Sequence, residues 1–329
     1  MLKVGIFGAG HLGKIHISQW KTLPGVELVG FYDPDDDNAA TVITEHHLKR
    51  YNNFADLIEA SDALDIVSTT TSHFDVAKAC LLHSRHIFIE KPMTNTMQEA
   101  RELVQLVTEA QVKCQVGHVE RYNPAFRALS NQHLQPMFIE THRLAQFNPR
   151  GTDVAVILDL MIHDIDIILH VVNSPVRRIA ASGVGIVSES ADIANARIEF
   201  DNGCVANLTA SRISLKKMRK MRLFQNDAYI GIDFLDKKTE IIRLKKENDK
   251  KGFFDFPIEL VNGHKKVIAI EYPEIKPANA IREELADFAY AILADKPVTV
   301  SVFDGLNAME VAHRILEKLD NQFKKDIMP

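Results

Sequence analysis

Cysteine is scarce in this chain of 329 residues: Cys80, Cys114 and Cys204 are the only three, far apart and without metal-ligand spacing. That excludes a disulfide framework and a zinc knuckle, and the three thiols are expected to behave as buried small hydrophobes. No apolar run approaches the roughly 20 residues of a membrane span. The N-terminal apolar stretch is too short for a signal sequence and is broken by glycines. No membrane partner is therefore expected, and the chain reads as cytoplasmic. An excess of positive charge is lacking too: the net charge is −5 and the pI near 6.3, which argues against a nucleic-acid partner. Internal repeats and low-complexity segments are also absent. What is there is 46% hydrophobic content, enough for two domains with cores of their own.

The first thirty residues carry a phosphate-binding pattern in its required context. Lys3, Val4, Gly5, Ile6 and Phe7 read as a short apolar strand, followed by Gly8-Ala9-Gly10-His11-Leu12-Gly13 and a helical stretch through Trp20. In such a G-x-G-x-x-G turn one glycine makes the tight bend, the next lets backbone approach a pyrophosphate, and the third lets helix pack on strand. The pyrophosphate sits at the helix N-terminus. A second strand over 27–32 ends at Asp33, where a carboxylate can accept hydrogen bonds from a ribose. Asp35, Asp36 and Asp37 follow it, with no arginine in the same loop. That acidic end favours NAD over NADP, whose 2′-phosphate would meet like charge.

Downstream, strand and helix patterns alternate to about residue 117: a strand over 64–68, a polar loop over Thr69 to Ser72, a helix over 73–83, a strand over 86–89, a helix over 96–109 and a strand over 112–116. This alternation implies a parallel, doubly wound sheet. The strand over 86–89 runs into Glu90-Lys91-Pro92. Strands of an open α/β sheet deliver their C-terminal residues to the ligand crevice, so Lys91 points at a bound ligand unless it is simply a solvated strand end. Pro92 fixes the backbone behind it and allows a cis bond. From residue 143 the pattern changes to a long helix over 154–172 and several alternating strands, over 194–200, 205–211 and 221–234. Two helices, over 278–294 and 304–319, close the chain. The expected architecture is a Rossmann domain over 1–118 and an α+β domain over 119–329 with a largely antiparallel open sheet.

The 154–172 helix is apolar around most of its circumference, yet it carries Asp159, His163, Asp166 and His170 at spacings of four, three and four. Those spacings predict one shared face. A polar stripe on a buried helix must be paired or must border a cavity. Asp159 can orient the His163 imidazole and raise its basicity. A satisfied core network is the competing reading. A metal site is not expected, because ligands two turns apart on one straight helix do not converge on a single tetrahedral ion. The basic run from Lys216 to Arg222 reads either as a diphosphate contact or, more simply, as the charged face of a strand.

Taken together, the glycine turn, the Ser68-Thr69-Thr70-Thr71-Ser72-His73 segment, Glu90-Lys91-Pro92 and the Asp159/His163 pair resemble the Gfo/Idh/MocA family of nicotinamide-dependent oxidoreductases, across essentially the whole chain. The resemblance implies an NAD-dependent dehydrogenase acting on a sugar hydroxyl. In it, Lys91 and His163 flank the reacting carbon, Asp159 supports the histidine, and Thr69, Thr70, Thr71 and His73 lie by the nicotinamide. Glu90 contacts the cofactor or holds Lys91. His163 is the first choice for the proton acceptor, with Lys91 as the alternative. Gly117-His118-Val119-Glu120-Arg121-Tyr122-Asn123-Pro124 is similar to the branch acting on nucleotide-activated amino sugars such as UDP-N-acetylglucosamine, and leaves the last parallel strand where His118, Arg121, Tyr122 and Asn123 can supply donors to a sugar nucleotide. A free sugar or polyol substrate, and a non-catalytic sensor of the same fold, are the alternatives. Functional coupling to an aminotransferase and a homodimer or homotetramer formed through the second domain's sheet are further implications.

Overall fold

The computed structural model describes residues 1–148, 154–188, 190–246, 255–259 and 265–327, and the structural statements below concern these residues. In chain order the first elements are β1 (Leu2–Phe7), α1 (His11–Trp20), β2 (Val26–Tyr32), α2 (Asp36–His46), α3 (Phe54–Ala60), β3 (Ala63–Ile66), α4 (Thr70–Leu82), β4 (His86–Glu90), α5 (Met97–Ala110) and β5 (Cys114–Gly117). A one-turn α6 (Pro124–Arg127) and β6 (Phe138–Leu144) follow. A π-helical turn (Ile157–Met161) then leads directly into α7 (Ile162–Val172). The strands β7 (Val176–Val184), β8 (Ile193–Phe200), β9 (Val205–Ser211), β10 (Met218–Phe224), β11 (Ala228–Asp233), β12 (Lys238–Lys246), β13 (Asp255–Glu259) and β14 (Lys265–Glu271) come next. Helices α8 (Ala280–Leu293) and α9 (Val302–Ile327) end the chain.

Two compact units result, one of Met1–Tyr122 with Ala278–Glu310 and one of Asn123–Pro277 with Val311–Pro329. The first unit holds the expected parallel sheet, in the order β2-β1-β3-β4-β5. Strands β3 and β5 are buried along their whole length, as parallel strands covered on both faces must be. The division differs from a single boundary after residue 118, since the chain returns to the first unit over Ala278–Glu310. The reason lies in α8, whose Leu285, Phe288 and Ala289 complete the core built by Val4, Ile6, Ile17, Trp20, Phe31 and Phe88. Helix α4 also begins earlier than expected. Thr70, Thr71 and Ser72 form its first turn rather than a loop.

The second unit is built on a nine-stranded sheet, β13-β14-β12-β11-β10-β6-β9-β8-β7, antiparallel everywhere except between β6 and β9. Its strands alternate: β8 buries Ala194, Ala196, Ile198 and Phe200, and β9 buries Ala206, Leu208 and Ala210. The stretch 221–234 is a hairpin rather than one strand, because Gln225 and Asp227 hydrogen-bond each other (2.7 Å) in a turn between β10 and β11. The C-terminal part of the basic run lies on β10 (Met218–Phe224), where Arg222 meets Glu140 at 2.8 Å and Lys220 meets Asp233 at 3.4 Å. All three cysteines are free and buried, and no helix among the described residues is long and apolar enough to cross a membrane.

Candidate active site

The strand order of the first sheet reverses between β1 and β3, and the loops leaving their C-terminal ends define a crevice where open α/β sheets bind ligands. Gly8 adopts φ +107°, and a side-chain carbon there would sit 2.7 Å from the Val67 carbonyl and 2.8 Å from the Ser68 nitrogen. Only glycine lets the two loops close on each other. A methyl on Gly13 would run into the Gly8 carbonyl oxygen, whereas one on Gly10 would meet no atom within 4 Å. That open side at Gly10 is the N-cap of α1, a helix with no side-chain cap and no acid in its first turn. Its uncommitted N–H groups and positive dipole end suit a pyrophosphate. His11 and Leu12 are exposed at this turn.

Asp33 closes the crevice from β2. It is buried, and its two oxygens accept from the backbone of Ala9 (2.6 Å) and Asp35 (2.8 Å). A carboxylate so held keeps lone pairs for ribose hydroxyls. Asp35 caps α2 by accepting from the Asn38 nitrogen. The sequence shows no arginine in this loop, but folding brings one: Arg50 donates to the Asp33 carbonyl (2.9 Å) and to Asp36 (2.7 Å). One cation against four acids leaves this end negative. NAD should accordingly bind at least about tenfold tighter than NADP, a gap of about 1.4 kcal/mol. Titration calorimetry with both cofactors checks this, and equal affinities would mean that Arg50 leaves Asp36 for the 2′-phosphate.

At the ends of β3 and β4, Thr69 and Thr71 are exposed and Thr70 is half-buried. His73 is fully buried behind them. Its ring nitrogens lie 3.1 Å from the carbonyls of Ser68 and Pro92, bracing the threonine turn against the lysine turn. Burial pushes the imidazole below its ordinary pKa, so it is neutral. The Lys91-Pro92 bond is cis. Lys91 is half-buried, and its backbone N–H donates to the Glu90 carboxylate at 3.1 Å.

His118, Arg121 and Tyr122 follow β5 in the first unit and are all buried. The Arg121 guanidinium lies 3.4 Å from Asp304, and the Tyr122 hydroxyl donates to Asp287 at 2.6 Å. Asn123, in the second unit, caps α6 by accepting from Ala125 and donates to the Phe234 carbonyl at 3.0 Å. Arg121, Tyr122 and Asn123, expected as donors to a sugar nucleotide, thus each have a partner within their own unit.

In the second unit the expected straight helix is interrupted by the π turn, which carries Asp159 and ends just before His163. Single π turns are frequent at functional sites. Asp159 and His163 are half-buried, Asp166 is buried and His170 is exposed, its ring edge-on to Phe126. Asp159 therefore sits in the π turn, while His163, Asp166 and His170 follow on the regular turns of α7 at spacings of three and four. Sequence reasoning missed the next residue, Asp164, which is buried in a two-pronged pair with Arg143 (2.8 and 3.1 Å). An acid in so apolar a helix was the available signal. His16, Asp65 and Glu284 of the first unit were missed as well; only their charge in apolar surroundings marked them.

Residues 2–118 match the oxidoreductase family with an NAD-binding Rossmann fold, and residues 125–230 match the GFO/IDH/MocA C-terminal domain. The chain is 32% identical over 315 residues to UDP-N-acetylglucosamine 3-dehydrogenase of Acidithiobacillus ferrooxidans, covering 95% of this chain and 96% of that one. This chain belongs to the GFO/IDH/MocA oxidoreductase family. A solved structure of the Acidithiobacillus enzyme superposes with a TM-score of 0.87 at 30% identity, covering 97% of this chain and 98% of that chain. Inositol 2-dehydrogenase of Serratia proteamaculans is also 32% identical, but over 51% of this chain and 53% of its own. Scyllo-inositol dehydrogenase of Lactobacillus casei, solved with NAD(H) and scyllo-inositol, shares the fold (TM-score 0.78, 20% identity, 98% of each chain). The protein is an oxidoreductase and its cofactor is NAD. The open face at Gly10, the uncapped start of α1 and the Asp33 carboxylate fit that cofactor.

Proposed function

We propose that this oxidoreductase oxidises the C3 hydroxyl of UDP-N-acetylglucosamine, or of a close relative, to a 3-keto sugar. The observation that carries the reading is similarity to UDP-N-acetylglucosamine 3-dehydrogenase over nearly the full length of both chains, where the similarity to the Serratia inositol dehydrogenase spans about half. NAD supplies the hydride acceptor at C4 of its nicotinamide. The residues of this chain orient the sugar and manage one proton. His163 takes the proton from the C3 hydroxyl, with Asp159 supporting the ring, and Lys91 hydrogen-bonds the same oxygen and stabilises the charge that develops on it. The product is an electrophilic ketone, which suits consumption by an aminotransferase. A homodimer or homotetramer through the second unit's sheet is part of the same reading.

The test is NADH formation with UDP-N-acetylglucosamine, run with an aminotransferase and glutamate to drain the ketone so that an unfavourable equilibrium does not hide turnover. Activity with the nucleotide sugar and little with free N-acetylglucosamine, glucose or inositol is the expected result. Turnover of inositol or glucose with none of any nucleotide sugar would overturn the substrate and leave the dehydrogenase standing.

A further inference from the structure

Behind the lysine turn the first unit buries a cluster of charge that the reaction does not use directly. His16 of α1 and Asp65 of β3 are fully buried, with Nδ1 2.9 Å from Oδ2, and the same Asp65 oxygen accepts from Trp20 Nε1 at 2.8 Å. The other imidazole nitrogen, Nε2, lies 3.4 Å from Glu90 Oε1. Glu90 Oε2 accepts from the Lys91 backbone nitrogen at 3.1 Å. Room for this carboxylate exists because β5 ends in Gly117, where a side-chain carbon would sit 2.7 Å from Glu90 Oε1. Glu284 completes the cluster from α8. It is wholly buried, neither oxygen has a hydrogen-bond partner among the protein atoms, and it lies with His16 Nε2 and a Glu90 oxygen in a group spanning no more than 4.8 Å.

Three carboxyl groups and one imidazole in so dry a space cannot all be charged. Asp65 has two side-chain donors, and Glu90 accepts from the Lys91 N–H and stands at ion-pair distance from the imidazole, while Glu284 has no hydrogen-bond partner among the described residues. The proton therefore belongs on Glu284. We propose that Glu284, as a neutral acid, and His16, as an imidazolium, are positioning residues for Lys91: together they hold Glu90 as a carboxylate on the Lys91 backbone and so fix where the lysine presents its ammonium. This rests on the role given to Lys91 above. Burial and then the charge of Glu90 push Glu284 well above the usual carboxylate range, with Asp65 and Glu120 adding to the effect and His16 opposing it. Burial opposes charge on His16, but Asp65 and Glu90 more than offset this and hold it well above the ordinary imidazole value. Burial likewise opposes charge on Glu90, yet His16, followed by Lys91, keeps it below the usual range. His73, which also faces Glu90, is neutral.

The sign for stability follows. A carboxyl raised in the native state contributes fully below its unfolded pKa and loses that contribution as pH climbs toward the native value. Glu284→Gln keeps the shape and the polarity but cannot ionise, so its melting temperature relative to wild type should rise steadily as the pH climbs above about 5. A difference independent of pH overturns the proton assignment. In kinetics, Glu284→Gln should retain most of the turnover, whereas Glu284→Leu, which removes the polar group from beside His16 and Glu90, should lower kcat about tenfold or more with KM and NAD affinity little changed. His16→Gln should fall with Glu284→Leu and supplies the same comparison if the leucine variant does not fold. Wild-type kcat across the pH range overturns the positioning role, and a glutamine variant as impaired as the leucine one shows that an ionised Glu284 is needed. One equivalent of zinc or manganese held by wild type and lost by Glu284→Gln would make the three residues a metal site instead. Wild type turning over no sugar at all counts against the functional reading alone, since the melting comparison still decides where the proton lies.

Discussion

Replacing Lys91 with methionine should lower turnover by about a hundredfold or more while NAD affinity stays nearly constant. Methionine keeps most of the side chain's length and apolar stem and removes only the ammonium, so the turn held by Glu90, Pro92 and His73 is left in place. The ammonium is assigned to an oxygen whose negative charge grows as its proton leaves. An interaction that strengthens toward the transition state is felt in kcat rather than in ground-state binding. The Gly8 to Gly13 turn and Asp33, the groups expected to hold NAD, are not touched by this change. Initial rates at saturating substrate together with fluorescence titration of NAD separate the two quantities. A variant with normal kcat would remove the lysine from the chemistry, and one that loses NAD binding in step with rate would make it a cofactor ligand only.

His163→Ala is expected to cost a similar factor, about a hundredfold in kcat, because a positioned base contributes on that order. The control is built into the same helix. His170, two turns on, is exposed and packs edge-on against Phe126, so His170→Ala should stay close to wild type. If His163 takes the proton, its removal also abolishes the fall in rate toward acid pH, since that limb reports protonation of the base. A His163→Ala enzyme that keeps both its rate and its acid limb would hand the proton to Lys91. Melting temperature checks folding here, and the buried Asp164–Arg143 pair of the same helix is left in place by the change.

Local sequence carried the cofactor half of the site. A strand, three glycines at fixed spacing, a helix and an acid at the end of the next strand are contiguous, and each has a backbone reason visible in the chain: a bend at Gly8, an open approach at Gly10, a close packing at Gly13. Glu90-Lys91-Pro92 was legible for the same reason, being a short strand followed by a residue that cannot continue it. Legibility failed where geometry depends on what a helix meets in space. Asp159 to His170 read as one regular helix, but a π turn over Ile157–Met161 carries Asp159, and Asp164 with Arg143 forms a buried pair. Spacing rules assume 3.6 residues per turn, and nothing local announces the exception.

The sequence by itself determined the two sheet types, the parallel alternation of the first half, the antiparallel alternation of the second and the chemistry of the glycine turn, because periodicity and backbone freedom are local properties. Only the tertiary structure decided which distant groups share a site. It carried α8 back to the first unit to complete the core, and with it Glu284 to the flank of His16 and Glu90. It turned Arg50 onto the acids beside Asp33, and committed Arg121 and Tyr122 to Asp304 and Asp287. These are encounters between residues far apart in the chain, selected by the need to bury apolar faces and to pair every charge that burial takes out of water.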